Sequence, residues 1–160
     1  MKSSLSPKLP ITAIIVGLNE GHLLEKCLSA IQFCEEILYY DLGSSDTTLT
    51  IAESLHAKTF HHEKVPSGEY VVASAQHVAT HDWILFLDPD EELNSSLTSE
   101  LIRRFPKLAE DNKLGAISGP WQFYFKQKSL SGTPWGGKRP RIFLANRKRF
   151  VFAPETHRGR

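Results

Sequence analysis

The sequence of 160 residues lacks most features of secreted, membrane-spanning or metal-cluster proteins. Only two cysteines occur, Cys27 and Cys34, and their spacing matches no metal-binding motif. Neither a disulfide framework nor a zinc site is therefore expected. No apolar run approaches the roughly 18 residues of a membrane helix. The opening MKSSLSPKLP also lacks the apolar stretch of a signal peptide. These absences predict a single globular domain in the cytoplasm.

Acidic residues are almost absent from the end of the chain. Residues 126–160 carry ten Lys or Arg and one Asp or Glu, whereas residues 1–125 carry nine and seventeen. This asymmetry predicts an anionic partner for the basic segment, or attraction between the two parts. A solvated basic tail is the alternative. No motif of the common nucleic-acid-binding modules accompanies the charge, so nucleic acid is not an expected partner.

Short apolar runs alternate with segments of helical periodicity over the first hundred residues. Strands are predicted at residues 11–17, 35–41, 57–60 and 83–87, and the third intervening helix at residues 67–79. The first run, ITAIIVG, is continuous and β-branched, as is typical of a strand that is buried on both faces. The alternation predicts an α/β fold with a mainly parallel sheet and right-handed crossovers.

The pattern changes after Pro106. A Gly- and Pro-rich loop at residues 131–140 precedes RIFLAN and RFVFAP, which we interpret as short strands of a hairpin around Asn146. These strands predict a small C-terminal β appendage. Within the single domain we distinguish a core, residues 1–125, from a basic acceptor-side segment, residues 126–160.

Carboxylates follow two predicted strands at the point where each strand ends. They are Asp41 and Asp46 after one strand, and Asp88, Asp90, Glu91 and Glu92 after the other. Ligands of open parallel sheets bind outside the carboxyl ends of the strands. Mg²⁺ typically uses one or two carboxylates together with substrate phosphates, so the pattern predicts a site for a metal-bound diphosphate. The alternative is a solvated acidic loop that caps a helix, and capping is the role expected for Asp46.

Three motifs in this order and spacing resemble family 2 glycosyltransferases of the GT-A fold, over residues 11–157. They are AIIVGLNEGHLLEKCLSAI, YYDLGSSDTTLTIAESLHAK and HDWILFLDPDEEL. The chain is most similar to bacterial lipopolysaccharide-core glucosyltransferases, which share a Gly/Trp loop, an Arg-x-Phe strand and a final His. The resemblance implies inverting transfer from a UDP-sugar, with glucose as the leading guess. It also implies Mn²⁺ or Mg²⁺ as cofactor and a cell-envelope glycolipid or polysaccharide as acceptor.

The resemblance also implies roles for five residues on the donor side. Asn19 and Glu20 are expected near the nucleotide, and Asp41 against the uracil or the ribose. Asp88 is expected to contact ribose or metal. Asp90 is expected to coordinate the metal that bridges the diphosphate.

The acceptor side needs a general base that deprotonates the acceptor hydroxyl. The candidates are Glu155, His157, Glu91 and Glu92, with His157 alternatively a third metal ligand. Arg141 belongs to the basic run KRPRIFLANRKR and is expected to contact phosphate. The same run predicts a peripheral contact with the anionic surface of the inner membrane.

The sequence departs from the family pattern at two places. Val72 and Ala73 occupy the positions of an Arg-Asn pair, and Arg158 replaces the acid of a His-Glu pair. A catalytically decayed nucleotide-sugar-binding domain is therefore the main alternative function. Because family members usually continue beyond the position of Arg160, we also expect a truncated or unusually short chain.

A haloacid-dehalogenase-like phosphatase is the second alternative, with Asp88 as its nucleophile. That family has Thr or Ser where this chain has Glu92. Its motif also lies on the first strand, whereas DPD lies in the middle of this chain. Both differences disfavour a phosphatase.

Overall fold

A computed structural model describes residues 7–131 and 138–152 of the protein. Its strands are β1 Leu9–Gly17, β2 Cys34–Asp41, β3 Lys58–His61, β4 Trp83–Leu87, β5 Ala116–Gln122, β6 Tyr124–Phe125, β7 Lys128–Ser129 and β8 Lys138–Asn146. Its helices are α1 Gly21–Ala30, α2 Thr48–Ser54, α3 Gly68–Ala75 and α4 Ser95–Ala109. None of these helices is long and apolar enough to cross a membrane.

Six strands form one sheet in the order β3-β2-β1-β4-β8-β5. Strands β3, β2, β1 and β4 are parallel to one another, whereas β8 is antiparallel to both β4 and β5. The predicted α/β fold with a mainly parallel sheet is confirmed. The C-terminal β structure is not a separate unit, because β8 and β5 extend the same sheet.

The predicted hairpin around Asn146 is wrong within the described residues. Strand β8 pairs with β4 and β5 instead, and residues 147–152 form a turn followed by irregular chain. Phe150 and Phe152 pack on each other with ring centroids 5.1 Å apart, and Phe152 packs on Phe86 of β4 at 5.5 Å. Their apolar pattern therefore reflects packing on the sheet face rather than pairing in a ladder.

Strand β1 is buried on both faces, as its sequence predicts. Ile11, Ala13 and Ile15 belong to the core cluster that includes α1 and α4, and Ile14 and Val16 to the cluster with α3. Full burial of one such aliphatic side chain stabilises the fold by about 1.5–3 kcal/mol. This central strand thereby holds the neighbouring strand ends in place.

Helix α3 ends at Ala75, four residues before the predicted end. The guanidinium of Arg147 donates to the carbonyl oxygens of Gln76 at 2.6 Å and Ala79 at 2.8 Å. These carbonyls follow the helix, where no further turn satisfies them. A contact from a distant part of the chain thus shapes the end of α3.

At the amino edge of the sheet, the buried carboxylate of Glu36 joins three segments. It accepts hydrogen bonds from Thr12 Oγ1 at 2.7 Å, Thr80 N at 2.7 Å and Lys58 Nζ at 2.8 Å. Burial opposes ionisation of this carboxyl group, but these bonds outweigh it and lower the pKa of Glu36 to about 2. The network stabilises the edge of the sheet opposite to the candidate site.

Candidate functional site

The two acid-bearing loops emerge from the same edge of the sheet. Gly17 of β1 pairs with Asp41 of β2, and Ile15 of β1 pairs with Leu87 of β4. Asp41 and Asp88 therefore both lie at the carboxyl edge, separated by the end of β1. This placement was predicted from the strand pattern and is confirmed.

Asp41 folds the loop that follows β2. The residue is 3% exposed, and its carboxylate accepts hydrogen bonds from the backbone N–H groups of Gly43 and Ser44, each at 3.0 Å. Gly43 has a φ of 100°, a left-handed conformation that glycine adopts at little cost. The family resemblance predicts that Asp41 contacts the nucleotide, and the structure shows that its carboxylate holds the loop.

Asn19 connects the first two loops of the carboxyl edge. Its Oδ1 accepts the N–H of Ser45 at 2.8 Å, and its own N–H donates to Ser44 Oγ at 2.9 Å. Glu20 is half-buried before α1, and its carbonyl oxygen accepts the N–H groups of Leu23 and Leu24. Both predicted residues thus lie at the expected edge.

Asp46 accepts the N–H groups of the first residues of two helices, which is the capping function expected of it, although Thr47 rather than Asp46 occupies the N-cap position of α2. One carboxylate oxygen accepts the N–H of Thr48, the first residue of α2, at 3.0 Å. The other accepts the N–H of Gly21, the first residue of α1, at 3.2 Å. The Thr48 hydroxyl group also donates to the carboxylate, and this bond is the main reason why the pKa of Asp46 lies below its usual range.

Arg141 of β8 clamps the acid loop after β4. Its guanidinium pairs with Glu91 and lies 3.5 Å from Asp88 Oδ2. Glu91, whose side chain is only 9% exposed, also accepts the backbone N–H of Asp88 at 2.9 Å. The ring of Trp121 lies 5.2 Å from the guanidinium carbon of Arg141. Sequence reasoning assigned Arg141 to phosphate and missed this clamp, because no local pattern links residues 91 and 141.

The remaining acids of the loop differ in their counter-charges. Glu92 pairs with Lys26 of α1 at 2.6 Å. Asp90 is exposed, and no hydrogen bond or ion pair to it occurs within residues 7–131 and 138–152. Asp90 is thus the carboxylate of this loop that has no counter-charge among the described residues, and Asp88, 55% exposed and 3.5 Å from Arg141, is the next most accessible to an added cation.

Gly17 allows the acid loop to pack against the end of β1. A Cβ atom at this position would lie 3.0 Å from Pro89 Cγ and 2.6 Å from Tyr39 Oη. Pro89 is buried between two exposed aspartates. Pro89 also restricts Asp88 to extended conformations, which stiffens the loop.

The chemistry of this loop fits a hard divalent cation held mainly by substrate. No group of three or more His, Cys, Asp or Glu side chains suited to a metal occurs within the part of the chain that the structure describes. One or two protein carboxylates suffice for Mg²⁺ when phosphates complete its shell. Asp90 and Asp88, which are separated only by Pro89, meet that requirement. The predicted Glu155 and His157 lie outside the described residues.

A cavity of about 350 Å³ lies beside the acid loop. Asp88 and Arg141 contribute its polar lining together with Glu69, and most other lining residues are apolar. The apolar set includes Val16, Val72, Phe86, Phe150 and Phe152. Sequence analysis did not identify the aromatic members, because their spacing is also that of ordinary core residues.

Comparisons with known proteins agree with this arrangement. Residues 12–157 match the family model described as Glycosyl transferase family 2. A glycosyltransferase of Rickettsia bellii is 34% identical over 107 residues, which cover 65% of this chain and 35% of that relative. The lipopolysaccharide core biosynthesis glycosyltransferase LpsC of Rhizobium meliloti is 33% identical over 97 residues, which cover 57% and 35%. The chain thus spans about a third of the length of these curated relatives.

A solved structure shares the fold. It is glucosyl-3-phosphoglycerate synthase from Mycobacterium tuberculosis in complex with Mn²⁺, UDP and glucosyl-3-phosphoglycerate. The TM-score is 0.51 at 16% identity, over 66% of this chain and 41% of that chain. The GT-A fold that the motifs predict is confirmed.

Proposed function

The chain belongs to glycosyl transferase family 2, the enzymes that transfer sugars, and we propose that it uses a UDP-sugar with Mn²⁺ or Mg²⁺. The observation that carries this proposal is the carboxylate of Asp90, which forms no hydrogen bond or ion pair with the residues that the structure describes. It lies in a loop whose other acids are already paired with Arg141 and Lys26. A divalent cation with a diphosphate supplies the missing counter-charge.

The donor would bind at the carboxyl edge of β1, β2 and β4. The loop held by Asp41 and Asn19 would face the base and ribose, and the cavity beside Asp88 would take the remainder of the donor. UDP and Mn²⁺ accompany the M. tuberculosis enzyme, which has the same fold. Glucose remains the leading guess for the sugar.

Asp90, with Asp88, would hold the metal ion. When bound, the ion acts as a Lewis acid that neutralises charge on the leaving nucleoside diphosphate. Arg141 sets the position of these acids through Glu91, and its guanidinium lines the cavity where phosphate would lie. Glu155 or His157 would remove the proton from the acceptor hydroxyl.

The acceptor would be a glycolipid or polysaccharide of the cell envelope. The relationship to LpsC, named for lipopolysaccharide core biosynthesis, supports this class of acceptor. Arg141 of β8, which lines the cavity at the carboxyl edge, suits a phosphorylated acceptor. Arg147 and Lys148 of the following turn lie at the opposite edge, where both pair with Asp82, and do not belong to this surface. Work on such an acceptor would place the protein at the cytoplasmic face of the inner membrane.

A catalytically decayed nucleotide-sugar-binding domain is the second candidate function. Val72 lines the cavity at the position where the family pattern has arginine, so a polar contact is lost there. Binding of a nucleotide sugar is common to both functions, whereas its turnover occurs only in the enzyme.

The test measures the melting temperature of the protein in the presence of each of a panel of UDP- and GDP-sugars, with and without Mn²⁺. A ligand that binds only the native state raises the melting temperature by mass action. We expect a UDP-sugar to stabilise the protein most, and only with metal. Release of UDP from that sugar then separates the enzyme from the decayed domain. If no nucleotide sugar raises the melting temperature, both the enzyme and the decayed nucleotide-sugar-binding domain are rejected.

A further inference from the structure

Strands β6 and β7 form a hairpin outside the six-stranded sheet. Tyr124 pairs with Ser129, and Phe125 pairs with Lys128. The described residues contribute no third strand to this small sheet. A two-stranded hairpin is marginally stable in water on its own. Contact with another surface would therefore stabilise this hairpin.

The hairpin exposes aromatic side chains on both faces. Tyr124 and Phe125 are each 65% exposed. Successive side chains of a strand point to opposite faces. On both faces of the hairpin, the described residues therefore leave an aromatic side chain largely exposed. Clustered exposed apolar groups on a protein surface commonly mark a binding site.

Cations flank these aromatic side chains. Lys126 and Lys128 are exposed, and Lys126 Nζ lies 5.5 Å from the centroid of the Phe125 ring. No Asp or Glu occurs in the sequence between Asp111 and Glu155. The surface is therefore both apolar and positively charged, which fits an anionic and partly apolar partner.

The residues at the turn of the hairpin are not those that the turn geometry favours. Lys126 and Gln127 have φ values of 47° and 64°. Two positive φ values in a two-residue turn define type I′, which favours Asn-Gly. A lysine at this position is unfavourable for the turn itself, so its charge points to a role at the tip.

The hairpin emerges at the edge of the sheet that carries the candidate site. Because β8 is antiparallel to both β4 and β5, strands β4 and β5 run in the same direction and end at the same edge. Trp121, next to the last residue of β5, contacts Arg141, which pairs with Asp88 of the acid loop. The hairpin starts three residues after Trp121.

We propose that the β6–β7 hairpin docks the protein on a bilayer that contains anionic phospholipid. Aromatic side chains of this kind prefer the interface between headgroups and acyl chains, and nearby lysines are attracted to anionic lipid. Docking would turn the carboxyl edge of the sheet toward the membrane. This orientation would bring a lipid-anchored acceptor to the acid loop, a consequence that rests on the proposed function; the docking itself does not.

Sedimentation of the whole protein with lipid vesicles tests the proposal. We expect binding to vesicles of phosphatidylcholine mixed with phosphatidylglycerol, and none to phosphatidylcholine alone. Tyr124→Ser with Phe125→Ser should weaken binding by at least about tenfold, since two aromatic side chains no longer enter the interface. Lys126→Gln with Lys128→Gln should weaken it by about 25-fold, or about fivefold for each lysine.

The matched control is Lys107→Gln with Lys113→Gln, which removes the same charge from exposed positions outside the hairpin. We expect this pair to bind almost as well as the parent. Absence of binding by the parent, equal losses from both lysine pairs, or no effect of the aromatic pair would each overturn the proposal. Unchanged melting temperatures show that the variants are folded.

The outcomes separate docking from catalysis, because vesicle binding is measured without any nucleotide sugar. A protein that binds vesicles but turns over no donor would reject the proposed function and keep the docking surface. A protein that releases UDP from its donor but does not bind anionic vesicles would reject the docking surface and keep the proposed function.

Discussion

The guanidinium of Arg141 pairs with the carboxylate of Glu91, fifty residues earlier in the chain. Glu91 in turn accepts the backbone N–H of Asp88, the first acid of the loop. Arg141 of β8 therefore offsets part of the negative charge of the loop that follows β4. Together with the Lys26–Glu92 pair, this contact reduces the repulsion among the four carboxylates.

Loss of the Arg141 clamp should destabilise the protein. Arg141→Met leaves the mostly buried Glu91 without its partner, so we expect a loss of about 2–3 kcal/mol in the free energy of unfolding, measured with urea. Arg104→Met removes an exposed partner of Glu100 and should cost under about 1 kcal/mol. Arg141→Met combined with Glu91→Gln should recover part of the loss. If the two single variants lose equal stability, the clamp has no special role.

Metal binding should depend on Asp90. Asp90→Asn removes a carboxylate that has no partner among the described residues, so we expect most of the stabilisation by Mn²⁺ with UDP to disappear. Glu92→Gln should retain it, because Glu92 is already paired with Lys26. Calorimetric titration of Mn²⁺ in the presence of UDP compares these two variants with the parent. Equal losses in both variants, or a parent that binds no metal, would reject Asp90 as the ligand.

Asp41 should affect both stability and nucleotide affinity. Asp41→Ala removes the acceptor of two backbone N–H groups, which should cost about 2–3 kcal/mol of unfolding free energy. Nucleotide affinity should fall even without metal, since the proposed partner is the base or ribose. Asp46→Ala is the control, because it also removes a carboxylate that accepts backbone N–H groups. An Asp41 variant with unchanged affinity would leave this residue a structural role alone.

Acid should weaken the fold through Glu36. Its pKa falls from the usual 4.5 to about 2 in the folded state. The folded state therefore holds fewer protons than the unfolded state between these values. The stabilisation is present above about pH 4.5 and is lost as the pH falls toward 2. The shift corresponds to a contribution on the order of 3 kcal/mol.

Glu36→Gln measures this contribution directly. Unfolding by urea at several pH values should show a large loss of stability in this variant at pH 7 and a much smaller one near pH 2. Glu110→Gln, at an exposed position, should show no such dependence. A loss from Glu36→Gln that is independent of pH would contradict the ionic origin of the stabilisation.

The strands before Leu93 were predictable because their signals are local. Continuous β-branched runs distinguish the buried strands, and the acids that follow them mark the strand ends. The bond of Asp46 to α2 involves a residue only two positions away, so its sequence context was sufficient, whereas the bond to Gly21 of α1 was not predictable. The pairing of β8 was not predictable, since an antiparallel partner can be chosen only after the whole chain has packed.

The candidate site shows the same difference between features that local sequence predicts and features that depend on long-range packing. Sequence alone determined that carboxylates crowd the ends of β2 and β4, because residue order and strand pattern are read directly along the chain. Only the tertiary structure decided that, in the loop after β4, Arg141 and Lys26 pair with three of the four acids and leave Asp90 without a partner among the described residues. An ion pair forms when two charges come within a few ångströms of each other. Residues separated by fifty positions reach that distance only through packing of the complete sheet.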